Sequence, residues 1–514
     1  MILLSLSLAL AGDEVAVGVD PGLTPAPPGP TVVLAPADTP APPPAKKPWF
    51  VNTGELRLIG SLPPADLVVD LDGTTLGQGP VLDSRLRDGS TFTWKGVEAN
   101  LEFDLFNAQI AGDAWDIRGE EDARHRESVN PIGPDWARLR KLSLGGRIGP
   151  MMVEGGVTTS HWGLGMLAND GAHDPEFGRS DFGDRVIRLR VATQPIATQP
   201  LFVAIAGDRV LDDENATWDP LEGEGAAAWQ GIATVIYGAK EHPRVGVYGV
   251  YRDQMEADAV RHTQVGVVDV YADAPVATPA ANFRFAAEGA TIFGRTSRAS
   301  SYQSRDGLDV LSGGATALVE ARMRPLPLRV ALRGGWSSGD ADPNDGQSGD
   351  FSFDRDFDAG MVLFDELQGA VDAASYAELS DHENAGQPPD GAETLVGEGA
   401  FRHAIFAQPV VEVTPLPWLS VKAGFTAAWS TRPVEEPYAS FRAGGVPTNQ
   451  LGQATSGYDL GTEVDWALKF GDVRLKPNCP AMPALLVQGG HAFAADNLGG
   501  GTVTLVTAAA RLRW

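Results

Sequence analysis

Ser160 and His161 are neighbours in this sequence, and a serine beside a histidine is raw material for nucleophilic hydrolysis. On an extended strand adjacent side chains face opposite ways, so the pair could not share a proton there. The 8 histidines are scattered, and no H-E-x-x-H pattern occurs. No catalytic residue is expected. Trp162 reads as a packing or interface aromatic. The run Asp340-Ala-Asp-Pro-Asn-Asp-Gly346 places carboxylates at alternate positions, as oxygen ligation of a hard cation requires. The EF-hand pattern fails, because the glycine comes one residue late and position 12 is Phe351 instead of Glu. A solvated acidic loop is expected, with no metal and no cofactor. The single cysteine, Cys479, excludes a disulfide framework and a thiolate cluster.

The remaining candidates are cations: Arg188, Arg190, Arg322, Arg329, Arg333, Lys469, Arg511 and Arg513. Each occupies a polar position in a segment whose alternate residues are apolar. The chain as a whole is acidic, with 67 Asp and Glu against 40 Lys and Arg and a net charge of −27. Positive charge is thus concentrated in the alternating segments and negative charge between them. Facing a lumen, such arginines would lower the barrier for anions. The alternative is that they only pair with Glu320, Glu463 and Asp465 and stiffen a wall. A chain this acidic repels phosphate backbones, so no nucleic-acid partner is expected.

The elements that must carry these residues are strands. From Leu419 to Ser430 the odd positions are Leu, Val, Ala, Phe, Ala and Trp, and the even ones are Ser, Lys, Gly, Thr, Ala and Ser. Period two puts each set on one face. Leu328, Val330, Leu332 and Trp336 alternate likewise with Arg329 and Arg333, and Val464, Trp466, Leu468 and Phe470 with Glu463, Asp465 and Lys469. Such segments have the ~10 residues of a tilted strand crossing a bilayer. Two proline turns, Arg324–Pro327 and Pro415–Trp418, contrast with long acidic or Gly/Pro-rich connections at 206–228, 338–358 and 431–459. Short turns at one end and long loops at the other are the habit of outer-membrane barrels. The last segment ends on Trp514, with Leu512, Ala510, Ala508 and Val506 at every second position before it. Trp514 and Leu512 therefore read as an assembly signal, which resembles the one the barrel-assembly machinery recognises. At about 26 residues per strand and loop, residues 49–514 give an all-β, antiparallel, up-and-down transmembrane barrel of about 16–18 strands with long outer loops. Within the long 338–400 connection, residues 361–379 break the alternation and recur near helical spacing, as a partial plug or a rim element would.

Residues 1–11 read as a signal peptide, with Ala9-Leu10-Ala11 as the cleavage pattern. Residues 12–48 read as a Pro-rich tether, with 11 prolines between 21 and 48 that cannot pair as a strand. Beyond residue 11 no apolar run reaches the ~20 residues of a membrane helix.

Ser160-His-Trp-Gly-Leu-Gly-Met-Leu-Ala-Asn-Asp-Gly171 and Gly349–Phe364 resemble motifs of an uncharacterised outer-membrane barrel family of myxobacteria and their relatives. Asp459-Leu-Gly-Thr-Glu-Val-Asp465 resembles the wider group of alginate-export-type barrels. The resemblance implies a Gram-negative outer-membrane barrel, and by analogy an Arg-lined passage for an acidic polysaccharide. The expectation is a channel or transporter for solutes or an anionic polymer, in contact with outer-membrane lipid and lipopolysaccharide. The alternatives are a structural or surface-binding barrel with a blocked lumen and, behind it, an outer-membrane hydrolase.

Overall fold

The computed structural model describes residues 48–514 except 63–66, 74, 77–79, 113–115, 118–119, 122–136, 181–182, 214, 221–222, 240, 302, 341, 343, 382, 384–387, 390, 398 and 475–480. The expected signal peptide, all of the expected tether but Pro48, and Cys479 lie outside the described residues.

Eighteen strands form one closed antiparallel ring, the upper end of the expected range. They are β1 (Phe50–Leu62), β2 (Val81–Trp94), β3 (Val97–Gly112), β4 (Ala137–Ile148), β5 (Met151–Thr159), β6 (Arg185–Thr193), β7 (Leu201–Asp213), β8 (Ala227–Tyr237) and β9 (Arg244–Met255). The ring continues through β10 (His262–Ala277), β11 (Ala281–Thr296), β12 (Leu308–Met323), β13 (Leu328–Ser337), β14 (Ala404–Leu416), β15 (Leu419–Ser430), β16 (Asp459–Gly471), β17 (Met482–Ala494) and β18 (Thr502–Arg513). Each strand pairs with its neighbours in sequence, and β1 pairs with β18 from Glu55↔Arg513 to Leu62↔Val506. Closure leaves no sheet edge, and in lipid that is the way a sheet satisfies its backbone.

The alternation seen in sequence sorts the side chains radially. On β1, Leu56 and Leu58 are exposed on the outside, while Arg57 and Ile59 are buried within. On β6, Ile187 and Leu189 point out and Arg188 and Arg190 in; on β13, Val330, Leu332 and Trp336 point out. Aromatics mark both ends of this apolar belt: Phe50, Phe92, Trp94, Tyr237, Trp418 and Phe470 near the short turns, and Trp229, Tyr251, Phe293, Trp336, Trp429 and Phe493 near the long loops. Two girdles around an apolar band are the outer surface of a membrane-spanning barrel.

The acidic stretch read as a connection at 206–228 is shorter than its composition suggests. β7 runs on to Asp213 and β8 begins at Ala227, because Asp208 and Asp212 sit on inward positions beside arginines. The long connections at 160–184 and 338–403 turn into the ring. The second carries α1 (Gly369–Ser380), preceded by a π-helical turn at Leu363–Gln368, where the sequence loses its period of two. Of the two placements open for this segment, it takes the inward one. Phe351, Phe353, Met361, Val362, Leu363, Phe364, Leu367 and Phe401 form the main buried core. The core of this molecule is thus a folded-in loop, and the strands are its container. The short α2 (Pro437–Arg442) lies in the connection after β15.

Candidate functional site: a cation-rich wall crossed by two loops

Small residues on the inner wall make seats for the two loops. Trp162 stacks on Tyr248, with ring centroids 5.1 Å apart, and donates from Nε1 to Asp269 at 2.9 Å. A Cβ at Gly246 would stand 2.6 Å from the Trp162 ring, and one at Gly424 2.5 Å from Phe177. A Cβ at Gly314 would meet Phe351 at 2.5 Å, and one at Gly490 would meet Val362 at 2.6 Å. Inward glycines therefore mark where a loop side chain touches the wall.

Polar latches finish the docking of loop 160–184. Arg57 and Arg85 donate to the carbonyl of Ser180 at 3.3 and 3.1 Å, and Arg87 to that of Gly171 at 2.9 Å. Arg140 donates to the carbonyl of Asp170, and Gln488 to that of Gly178 at 2.8 Å. Asp174 takes Arg511 at 2.6 Å and Arg513 at 2.9 Å. Glu176 takes Arg329 through both of its Nη atoms, and Lys422 at 3.3 Å. Burial works against ionisation of Glu176, but the Arg329 hydrogen bonds and the Lys422 charge hold its carboxyl down at about 2. The loop is thus an anionic strap across a cationic wall.

Loop 338–403 docks the other way round. The wall residue Glu463 accepts from the N–H groups of Met361, Val362 and Leu363 at 2.6, 2.9 and 2.8 Å. These lie at the start of a helical segment, where backbone donors lack intrahelical partners. Asp354 joins the two loops by accepting from Asn169 N–H at 2.9 Å. In the acidic run, Asp340, Asp342 and Asp345 accept from the N–H groups of Asp342, Asn344 and Gln347, so part of their oxygen capacity goes to shaping the loop itself.

All eight expected cations occupy inward positions, but their surroundings divide them. Arg188 is bound by Asp208 at 2.6 Å and donates to Ser160 Oγ at 3.1 Å; Arg190 pairs with Glu154. Arg333 donates to Gln408 at 2.9 Å and lies over the Phe357 ring. Arg329, Arg511 and Arg513 all hold the strap. Arg322, Lys469 and Arg513 remain in contact with solvent, and Arg322 keeps 63% of its side chain exposed while pairing with Glu320 at 2.7 Å. Of the acids expected to balance them, Glu320 does so, taking Arg322 and Arg329. Glu463 instead holds the backbone of the 338–403 loop. Ser160 serves Arg188, while His161 turns toward Asp170, so the two are not brought together.

Reading by alternation missed Arg57, Arg85, Arg87 and Arg140 on β1, β2 and β4, and Arg244 and Arg284 on β9 and β11. The last two share one acid, Asp273, at 3.3 and 3.1 Å. Their signal was available: Leu56-Arg57-Leu58 alternates as plainly as β13 does.

No protein-family model and no curated protein matches the sequence. Among solved structures the chain is similar to Pseudomonas aeruginosa OccK11 (OpdR), with 12% identity over 90% of this chain and 95% of that one, at a TM-score of 0.49. The outer membrane protein opdK of the same organism gives 11% identity, coverage of 90% and 99%, and a TM-score of 0.46. Its OccK2 (OpdF), solved in complex with glucuronate, gives 10% identity, coverage of 90% and 97%, and a TM-score of 0.45. The likeness is one of fold and goes no further.

Proposed function

We propose that this chain is a channel of the Gram-negative outer membrane that passes small solutes and favours anionic ones. The observation that carries the reading is the set of solvent-touching cations at the short-turn end of the lumen: Arg244, Arg284, Arg322, Lys469 and Arg513. Arg244 and Arg284 both bond Asp273, and each keeps part of its side chain in contact with solvent. In a confined aqueous path such charge favours anions.

Passage of an anionic polymer is the finer form of the reading, supported by the resemblance to alginate-export-type barrels. Two loops crossing the ring favour small solutes over a long chain. The same two loops support the second reading, a barrel whose lumen is blocked. No catalytic group enters either reading. The apolar belt fits outer-membrane lipid and lipopolysaccharide, and Trp514 with Leu512 fits recognition by the barrel-assembly machinery.

Reconstitution in a planar bilayer under a salt gradient tests the proposal. Steady unitary current with a reversal potential on the anion side is the expected result, shifted toward cations in Arg284→Glu, Arg322→Glu. Absence of current through correctly folded protein would leave the blocked barrel standing.

A further inference from the structure

Loop 160–184 carries a cluster that conduction does not use. His161, Asp170 and His173 each bring a ligand-type atom to within 4.8 Å of the others. The two imidazole rings stack with centroids 4.3 Å apart. The Nδ1 atoms of His173 and His161 lie 3.0 and 3.8 Å from the same Asp170 oxygen. Around a tetrahedral ion with bonds of about 2.0–2.2 Å, ligand atoms sit roughly 3.4 Å apart. Small rotations of two side chains would close this set on one ion.

The surroundings hold the backbone of these residues independently of any ion. Ser160 N–H donates to Asp184 at 3.2 Å and Trp162 N–H to Ala168 at 3.0 Å, which fixes His161 from both sides. Trp162 is itself tied to Asp269. Asp170 is held at its carbonyl by Arg140, and one carboxylate oxygen takes Ala172 N–H at 3.0 Å. Gly165 keeps a φ of +77° and leaves the His161 ring its space, since a Cβ there would stand 3.4 Å from Cε1. Ligands carried by a prearranged backbone lose little freedom on binding.

We propose that His161, Asp170 and His173 bind one divalent transition-metal ion of the zinc class through two imidazole nitrogens and one carboxylate oxygen. Imidazole with carboxylate suits zinc, nickel and copper, whereas magnesium and calcium ask for oxygen alone. Three protein ligands leave a fourth position, which falls to water or to an anionic solute. The spacing H-x8-D-x2-H lies in the segment that the sequence sets apart, although its histidines look scattered when read one by one. With the ion bound, both ends of the segment 161–173 are tied to one point.

The test uses tag-free full-length protein, refolded in detergent, stripped with a chelator and checked for heat-modifiable migration. Zinc titrated against a chelating dye and by calorimetry should bind at one per barrel, and millimolar magnesium or calcium should not displace it. His173→Ala should weaken binding by more than tenfold, and Asp170→Asn should weaken it as well. Zinc-edge X-ray absorption of the wild type should show imidazole back-scattering, a readout that needs no variant. Folded wild type that binds no zinc, or binds it as well after His173→Ala, would overturn the proposal. So would a zinc spectrum without imidazole. Binding is read without any current, so it stands or falls separately from the channel reading.

Discussion

Arg329 on β13 and Glu176 on loop 160–184 are joined by a two-pronged bond, Nη1 to Oε2 at 2.9 Å and Nη2 to Oε1. The same guanidinium holds Glu320 through Nε at 2.6 Å. A side chain at the wall thus serves the loop before it serves any passing ion, which changes what its reversal would do.

Arg329→Glu should release the strap as well as alter selectivity. Breaking one side of a buried ion pair costs about 3–5 kcal/mol. Single-channel recordings should show higher conductance with added flicker, and the temperature of the heat-modifiable transition should fall. Arg322→Glu, whose partner Glu320 keeps Arg329, should shift the reversal potential with quiet current. Equal traces from the two variants would contradict the latch.

Acid should open the same latch. The Glu176 carboxyl is held below its ordinary value, at about 2. Its contribution to folding is therefore complete above the ordinary carboxylate range and is lost as pH falls toward the folded value. Conductance should be steady from pH 8 to 5, with flicker appearing only below roughly pH 4. In Glu176→Gln the flicker should be present at neutral pH.

Glu463→Ala should loosen the other loop. It strands the N–H groups of Met361, Val362 and Leu363 without acceptors, at about 1–3 kcal/mol for each donor left buried and unsatisfied. Hydrogen exchange at 361–368 should accelerate by at least a hundredfold while the β16–β17 ladder keeps its protection. Unchanged exchange would mean that the aromatic cluster alone seats the loop.

Trp514→Ala should reduce assembled protein. The Trp514 indole donates to Asn52 at 2.9 Å, and its backbone exchanges hydrogen bonds of 3.1 Å with Gly54. Its ring lies where a Gly54 Cβ would be, so Gly54→Val should show the same defect from the opposite strand. The heat-modifiable fraction in outer-membrane preparations measures both, and normal amounts of either variant would refute the closure argument.

Period-two patterning made the ring legible, because an outward position is decided by one residue and its lipid. β13 and β15 show in sequence the faces they have in the structure. The inner face was legible in its polarity but not in its pairing. Arg188 and Asp208 meet across two strands, and Arg329 meets Glu176 from a loop 153 residues away. Nothing local to Arg329 names that partner. Helical spacing at 361–379 was visible, yet its inward course depends on Glu463 and on Gly490, which belong to β16 and β17, two and three strands after the β14 that follows this segment. The His161, Asp170 and His173 cluster was missed because its members look unremarkable until the loop folds back on itself.

The seam between β1 and β18 has a consequence for biogenesis. Glu55 and Arg513 are bonded at 2.9 Å although they stand 458 residues apart in the chain. Local hairpins along the ring can form early, but this contact must wait for nearly everything between its partners, at the entropic cost of closing a very long loop. Until then β1 and β18 each offer an unsatisfied edge. The growing sheet is a ribbon with two adhesive borders, and the step that makes it safe in lipid is its last.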